Sequence, residues 1–285
     1  MVFKARLMRD LKVVIRFISG VLAFCCMSFF INAATNHPQR IISLGPSITE
    51  QLYLLEAQDK LIGCTIYCRR PQEAKTKEKV GTVVEVNLEK IVSLKPDLVI
   101  ATSLTNLKAI EKLRNLGIKV SVFSSPKNFT ELCRQFLELG KLVDKEKAAE
   151  DLIHQAENKV AAIKRNVENL PKPKVFIQVG AKPLVTVTKD SFVNDFIEFA
   201  GGMNIASNAK IGLYSREEVL MKNPDVIIIV TMGIAGEKEQ EIWKKYSALE
   251  AVKNNRIYII DSDKVCSPTP ISFVQTLEEL VDILQ

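Results

Sequence analysis

The feature that most constrains this chain is a pattern it carries twice. The stretch Asn87-Leu88-Glu89-Lys90-Ile91-Val92-Ser93-Leu94-Lys95-Pro96-Asp97, with the apolar run from Leu98 to Ile100, recurs in pattern as Ser215-Arg216-Glu217-Glu218-Val219-Leu220-Met221-Lys222-Asn223-Pro224-Asp225, with Val226 to Ile228. Each copy opens on a helix-capping residue, places a Glu at the second helical position and stops at Pro-Asp. The apolar run after each stop reads as a buried parallel strand. A duplicated helix-strand unit predicts two similar α/β lobes, and two lobes predict a cleft able to hold a ligand.

Residues 1–34 stand apart from that pattern. Lys4, Arg6, Arg9, Lys12 and Arg16 precede an apolar segment from Phe17 to Ile31 that closes near Ala33-Ala34, giving the three regions of a signal peptide. The apolar part is shorter than the roughly 20 residues a spanning helix needs. Cleavage and export, to the periplasm or beyond the cell, are therefore expected, with an uncleaved anchor as the alternative. A lipoprotein is disfavoured because Cys25 follows Phe24 where a small residue is needed. Five basic side chains and Asp10 leave with the leader, so the formal net charge falls from +6 to +2. The remaining Lys and Arg are interspersed with Asp and Glu, which predicts no nucleic-acid partner.

The mature chain divides into an N-terminal α/β lobe over 38–143, a bridging helix over 144–170 and a C-terminal α/β lobe over 174–285. Arg40 to Leu44 reads as a strand, broken at Gly45-Pro46-Ser47 before a helix from Ile48 to Leu55, the opening of a βαβ unit. Strands at 60–65, 97–101 and 119–123 alternate with helices at 88–94 and from Leu107 to Leu116, predicting a doubly wound, Rossmann-like lobe. Asp144 to Leu170 lacks Gly and Pro and repeats Ala149, Leu152, Ala156, Val160, Ile163 and Val167 at spacings of three and four. At about 1.5 Å per residue such a helix is long enough to join the two lobes. The second lobe is expected to hold a strand at 174–179, a hairpin-like stretch from Leu184 to Thr188 and a helix capped by Asp190 or Ser191. Strands at 226–230 and 256–260, a helix around Trp243 and a C-terminal helix complete it, with Trp243 and Leu249 in the core.

No catalytic constellation is legible. The two His residues, His37 and His154, have no nucleophile nearby in sequence, and neither a dinucleotide fingerprint nor a phosphate-cradling loop is present. Cys64, Cys68, Cys133 and Cys266 remain after the leader is removed, and their three full pairings stay open. The spacing of Cys64 and Cys68 is a weak zinc signal without a second ligand pair.

Taken together, the segments Arg40-Ile-Ile-Ser-Leu-Gly-Pro-Ser-Ile-Thr-Glu50, Tyr67-Cys68-Arg-Arg-Pro71-Gln-Glu-Ala74 and the two repeats resemble the substrate-binding proteins of ABC importers for cobalamin and ferric chelates. The resemblance runs in order over nearly the whole mature chain. It implies two lobes on one backbone helix, a monomer that binds a small-molecule chelate, and docking to ABC permease subunits of the inner membrane. Glu89 and Glu217 match the docking carboxylates. A Glu in a first helical turn is also stabilised by the helix dipole alone, by roughly 0.3 to 1 kcal/mol. Ser215 and Glu218 read as a capping box, leaving Glu217 free.

The same resemblance nominates ligand-binding residues on loops after the strands: Pro46, Ser47, Tyr67 and Cys68 on the first lobe, and Gly180, Tyr214, Asp261 and Cys266 on the second. Tyr67 matches an aromatic that packs on the corrin face. Cys68 and Cys266 are expected across the cleft from one another, as a disulfide, as soft ligands to a metal centre, or as buried thiols. No resident cofactor or metal is implied, although the cargo carries cobalt or iron. Several positions depart from the cobalamin-binding pattern: Val83-Val84 and Ile211 or Tyr214 stand where tryptophans are found, and Pro270 is followed by Ile271 instead of Arg. A ferric siderophore, haem or metal-ion receptor of the same fold is the alternative, ahead of an exported enzyme using the cleft.

Overall fold

Leu44 donates its backbone N–H to Ile100 O at 2.8 Å, tying the end of the first strand to the strand that follows the first repeat. The computed structural model describes residues 37–231 and 236–285, so the expected signal peptide lies outside the described residues. Strands β1 (Ile41–Ser43), β2 (Leu61–Cys64), β3 (Glu78–Lys79), β4 (Leu98–Thr102) and β5 (Val120–Phe123) form a parallel sheet in the order β3-β2-β1-β4-β5. The chain winds outward from β1 in one direction and from β4 in the other. An open α/β sheet leaves its crevice at such a switch point, outside the carboxyl ends of the strands. Helices α1 (Pro46–Leu54), α2 (Leu88–Ser93), α3 (Leu107–Asn115) and α4 (Phe129–Leu142) accompany this sheet. Ile41, Ile42, Leu98, Val99 and Ile100 are fully buried, the continuous apolar pattern of strands covered on both faces.

Helix α5 (Glu146–Val167) leads to a second sheet of β6 (Lys174–Ala181), β7 (Leu184–Thr186), β8 (Met203–Asn204), β9 (Val226–Val230) and β10 (Ile257–Ile260). Its order is β10-β9-β6-β7, with β8 also paired to β6. Only β7 runs antiparallel, as the expected hairpin requires. Helices α6 (Phe192–Phe199), α7 (Arg216–Lys222), α8 (Gly236–Lys244), α9 (Glu250–Lys253), α10 (Ser262–Cys266) and α11 (Pro270–Leu284) complete the lobe. Trp243 and Leu249 are buried, as their sequence setting predicts.

The two repeats fold alike. Asn87 accepts from Lys90 N at 2.9 Å to cap α2, and Ser215 accepts from Glu218 N at 3.1 Å to cap α7, with Glu218 closing the capping box. Ile91 and Val219, at matching positions, are fully buried. Lys95 and Asn223 both take left-handed φ, at 48° and 45°, and turn the chain out of the helix. The Asp after each Pro then does something periodicity does not reveal. Asp97 accepts from Gln39 N and Arg40 N at 2.7 and 3.1 Å, and Asp225 accepts from Lys174 N at 2.7 Å. Each therefore staples the approach to the central strand of its own sheet.

Ala149, Ile153, Ala156 and Val160 of α5 belong to one continuous core with Leu139 of α4 and Leu277 and Leu280 of α11. That core crosses from sheet to sheet. Phe129 of α4 lies 4.7 Å from Phe273 of α11, which stacks at 4.1 Å on Phe196 of α6. Asp195 of α6 accepts from Phe129 N at 2.7 Å, a polar tie across the same seam. Lobes sharing a core cannot hinge widely without exposing it, because packed interiors deform little.

Candidate functional site

A cavity of about 330 Å³ opens where the loops after β1, β4 and β5 meet α10 of the second lobe. Its floor comes from the β1–α1 turn. Gly45 lacks a side chain there for a reason: a Cβ would lie 2.8 Å from Thr102 Cγ2 at the end of β4. Pro46 and Ser47 then begin α1, with Ile48 and Gln51 one turn further along the same wall. Tyr67 is about half exposed and forms one side, and Leu104, 65% exposed, extends apolar surface to the rim. From the second lobe come Phe192 at the start of α6 and Ser262, Asp263, Cys266, Ser267 and Pro268. The wall is chiefly small, apolar and hydroxyl-bearing, a surface suited to holding a molecule by contact.

Arg70 ties the two sides together beside this cavity. Its guanidinium donates to Asp263 O at 2.8 Å and Ser267 O at 3.2 Å, and lies 3.1 Å from Glu50 Oε2. Glu50 Oε2 is buried and not aligned for a hydrogen bond. Burial therefore pushes its carboxyl above the usual range, only partly countered by the Arg70 charge.

The expected ligand-binding residues divide into two groups. Pro46, Ser47, Tyr67 and Cys266 line the cavity. The other four do not line it. Cys68 is buried, its sulfur 3.1 Å from Thr49 Oγ1 and 3.2 Å from Thr65 Oγ1, and it does not join Cys266 on the wall. Asp261 spends its carboxylate capping α10, accepting from Asp263 N at 2.7 Å. Gly180 sits in the β6–β7 hairpin, where a Cβ would crowd Val185 at 3.0 Å. Tyr214 packs on Phe176 and donates to Ile205 O at 3.5 Å. All four cysteines are free thiols in this structure, and burial raises the Cys266 thiol to about 11.

Helix α4 contributes Leu132 and Gln135 to the wall, and no expectation covered it. Gln135 donates to Ser124 O at 3.0 Å and so fixes the loop between β5 and α4. The signal is present in the chain: Asn128 caps the helix, and Phe129, Leu132, Phe136 and Leu139 recur at helical spacing. A larger hollow of about 620 Å³ runs along α5. Its rim mixes Lys164, Arg165 and Lys172 with Glu157, Glu168 and Glu198, charges without a net preference, and it lies away from the strand ends. Among the described residues no group of three His, Cys, Asp or Glu is placed to hold a metal ion. Glu89 and Glu217 are exposed at the second positions of α2 and α7.

Two lobes on a shared helix, with a cleft at their strand ends, define a class of extracytoplasmic solute receptors. The chain belongs to the periplasmic binding protein family, which it matches over residues 41–264. It is 32% identical to an uncharacterised ABC transporter substrate-binding lipoprotein, YvrC, of Bacillus subtilis, over 86% of this chain and 79% of that protein. A vitamin B12-binding protein of Vibrio vulnificus is 30% identical over 87% of this chain and 92% of its own length. Among solved structures, a possible iron-binding periplasmic solute-binding protein of Staphylococcus epidermidis superposes with a TM-score of 0.77 at 31% identity. That likeness covers 87% of this chain and 99% of the other.

Proposed function

We propose that this chain is the exported solute-binding component of an ABC importer, and that it captures a corrinoid or a related iron complex and delivers it to the permease. The observation that carries the reading is the cavity between Tyr67 and Leu104 on one lobe and α10 on the other. Its 330 Å³ lies at the lower end of the range for small-molecule sites. A flat chelate would enter by one edge and leave the rest against the exposed apolar rim. Val83 on the wall, in place of a tryptophan, leaves room for a cargo other than cobalamin itself. The sequence match to a B12-binding protein supports the corrinoid, and the match to a possible iron-binding protein supports the iron complex.

Binding is passive in this reading. The cargo is held by contact and by the loop hydroxyls, the lobes close slightly, and no bond is made or broken by the chain. Glu89 and Glu217 then meet basic residues of the permease, with charge complementarity setting register and encounter rate more than affinity. Titration of the purified protein with cyanocobalamin, haemin and a ferric hydroxamate chelate tests the reading. At least one should bind saturably, and Tyr67→Ala should weaken it about tenfold, equivalent to about 1.4 kcal/mol. The pair Glu89→Ala and Glu217→Ala should leave that affinity unchanged and abolish uptake in cells. Failure of all three probes to bind would overturn the proposal.

A further inference from the structure

Beside the cleft lies a buried thiol pair that the binding reading does not use. Cys64 ends β2, Cys68 comes after a turn closed by Cys68 N donating to Thr65 O at 3.1 Å, and both side chains are at most 1% exposed. One lysine, Lys79, bridges the Cys64 sulfur and the Cys68 carbonyl, so the turn folds the two residues into one buried pocket. The hydroxyls of Thr49 and Thr65 stand 3.1 and 3.2 Å from the Cys68 sulfur. Thr49 Oγ1 also donates towards Ser43 Oγ at 2.9 Å, whose own hydroxyl donates to Gly45 O, so the single Thr49 proton is shared between Ser43 and the Cys68 sulfur. Hydroxyls this close can donate to a Cys68 thiolate, which accepts more strongly than a neutral thiol.

On the other side, Lys79 Nζ lies 3.2 Å from the Cys64 sulfur and donates to Ala74 O at 2.9 Å and Cys68 O at 3.4 Å. No carboxylate pairs with it among the described residues, so its nearest prospective counter-charge is sulfur. The neighbouring Cys64, with help from Thr49 and Thr65, lowers the pKa of the Cys68 thiol against the cost of burial. The neighbouring Cys68 and burial push the Cys64 thiol up.

We propose that Cys64 and Cys68 are a redox couple that closes into a disulfide by exchange with an extracytoplasmic disulfide, clamping the turn that carries Tyr67. Cys68 gives up its proton and, as a thiolate, attacks one sulfur of the oxidant disulfide, expels the other as a thiolate and forms a mixed disulfide. Cys64 gives up its proton, with its thiolate stabilised by Lys79, and attacks the Cys68 sulfur, expelling the second oxidant thiolate. Two protons and two electrons leave the pair, and the oxidant is reduced to two thiols. Because both sulfurs are covered, exchange proceeds through opening of the segment from Thr65 to Arg70 or before folding is complete.

The test equilibrates the mature protein with mixtures of reduced and oxidised glutathione, quenches by alkylation and digests with trypsin. Leu61 to Arg69 is a single tryptic peptide that contains both cysteines. It should convert cooperatively from a doubly alkylated form to a form two hydrogens lighter than the free dithiol, while Cys133 stays reduced. Amide hydrogen exchange from Ile66 to Cys68 should slow at least several-fold on oxidation. Persistent double alkylation at every glutathione ratio, pairing of either cysteine with Cys133 or Cys266, or unchanged amide exchange would overturn the proposal. Neither readout involves cargo, so its failure would leave the proposed transport function standing.

Discussion

In the first repeat, α2 begins with Leu88, packed partly buried beside Ile91; in the second, α7 begins with Arg216, whose guanidinium enters the protein. Arg216 donates to Glu239 Oε2 at 2.6 Å and lies 4.4 Å over the Trp243 ring. Glu239 also accepts from Gln178 at 2.8 Å, and Gln178 in turn accepts from Trp243 Nε1 at 2.7 Å. The backbone, the exposed Glu and the buried apolar position of Ile91 and Val219 are duplicated, yet only the second helix adds a buried polar network at its first position. The difference teaches that the repeat keeps a position for a carboxylate while leaving each lobe to find its own anchor.

Arg70 and Glu50 make a second Arg–Glu pair with a different character. Glu239 is hydrogen-bonded twice, and those bonds and the Arg216 charge outweigh the burial that alone would raise it, so its pKa is lowered. Glu50 lacks an aligned donor on Oε2, and burial wins. Geometry decides whether a buried carboxylate beside an arginine is held as the anion.

Removing the arginines separates the two pairs most strongly. Arg216→Ala leaves the Glu239 carboxylate buried without its counter-charge and should cost about 3 kcal/mol or more in urea unfolding. Arg70→Ala, at a partly exposed site, should cost about 1 to 2 kcal/mol. Equal losses would break the comparison.

Acid titration of stability sharpens it further. Glu239, lowered from 4.5, contributes stability that is present above pH 4.5 and lost as pH falls through its folded-state pKa. Glu50, raised from 4.5, contributes in the opposite sense: stability is present below pH 4.5 and lost as pH rises through its folded-state pKa. Glu239→Gln should therefore flatten the limb below pH 4.5, and Glu50→Gln the limb above it, in urea midpoints measured across that range.

The smallest effects belong to the residues on which the two copies agree. Glu89→Ala and Glu217→Ala should each change unfolding free energy by less than about 0.5 kcal/mol, since neither forms an ion pair among the described residues and surface changes of this kind are small. A loss above about 1 kcal/mol would mark these carboxylates as helix stabilisers instead of free surface charges.

The legible parts of the fold are those whose signal is local. Capping residues, Pro-Asp stops and unbroken apolar runs locate the repeats, α5, the central strands and the buried Trp243, because each reflects a backbone or burial requirement met within a few residues. Helix α4 goes unassigned even though its cap and spacing are present, and the short α10 is too brief to show a period. The site is only half legible. Pro46, Ser47, Tyr67 and Cys266 reach the cavity, whereas Asp261 caps a helix and Cys68 turns to Thr49 and Cys64.

By itself, then, the sequence determined a duplicated α/β architecture and one exposed Glu in matching places on each half, since caps, helix breakers and burial patterns act over short distances. Only the tertiary structure decided which loop residues face the cleft, which aspartate is consumed as a cap and which thiols meet. Those outcomes depend on side-chain partners far apart in the chain, such as Arg70 with Ser267 or Gln178 with Trp243, brought together by packing that no local pattern encodes.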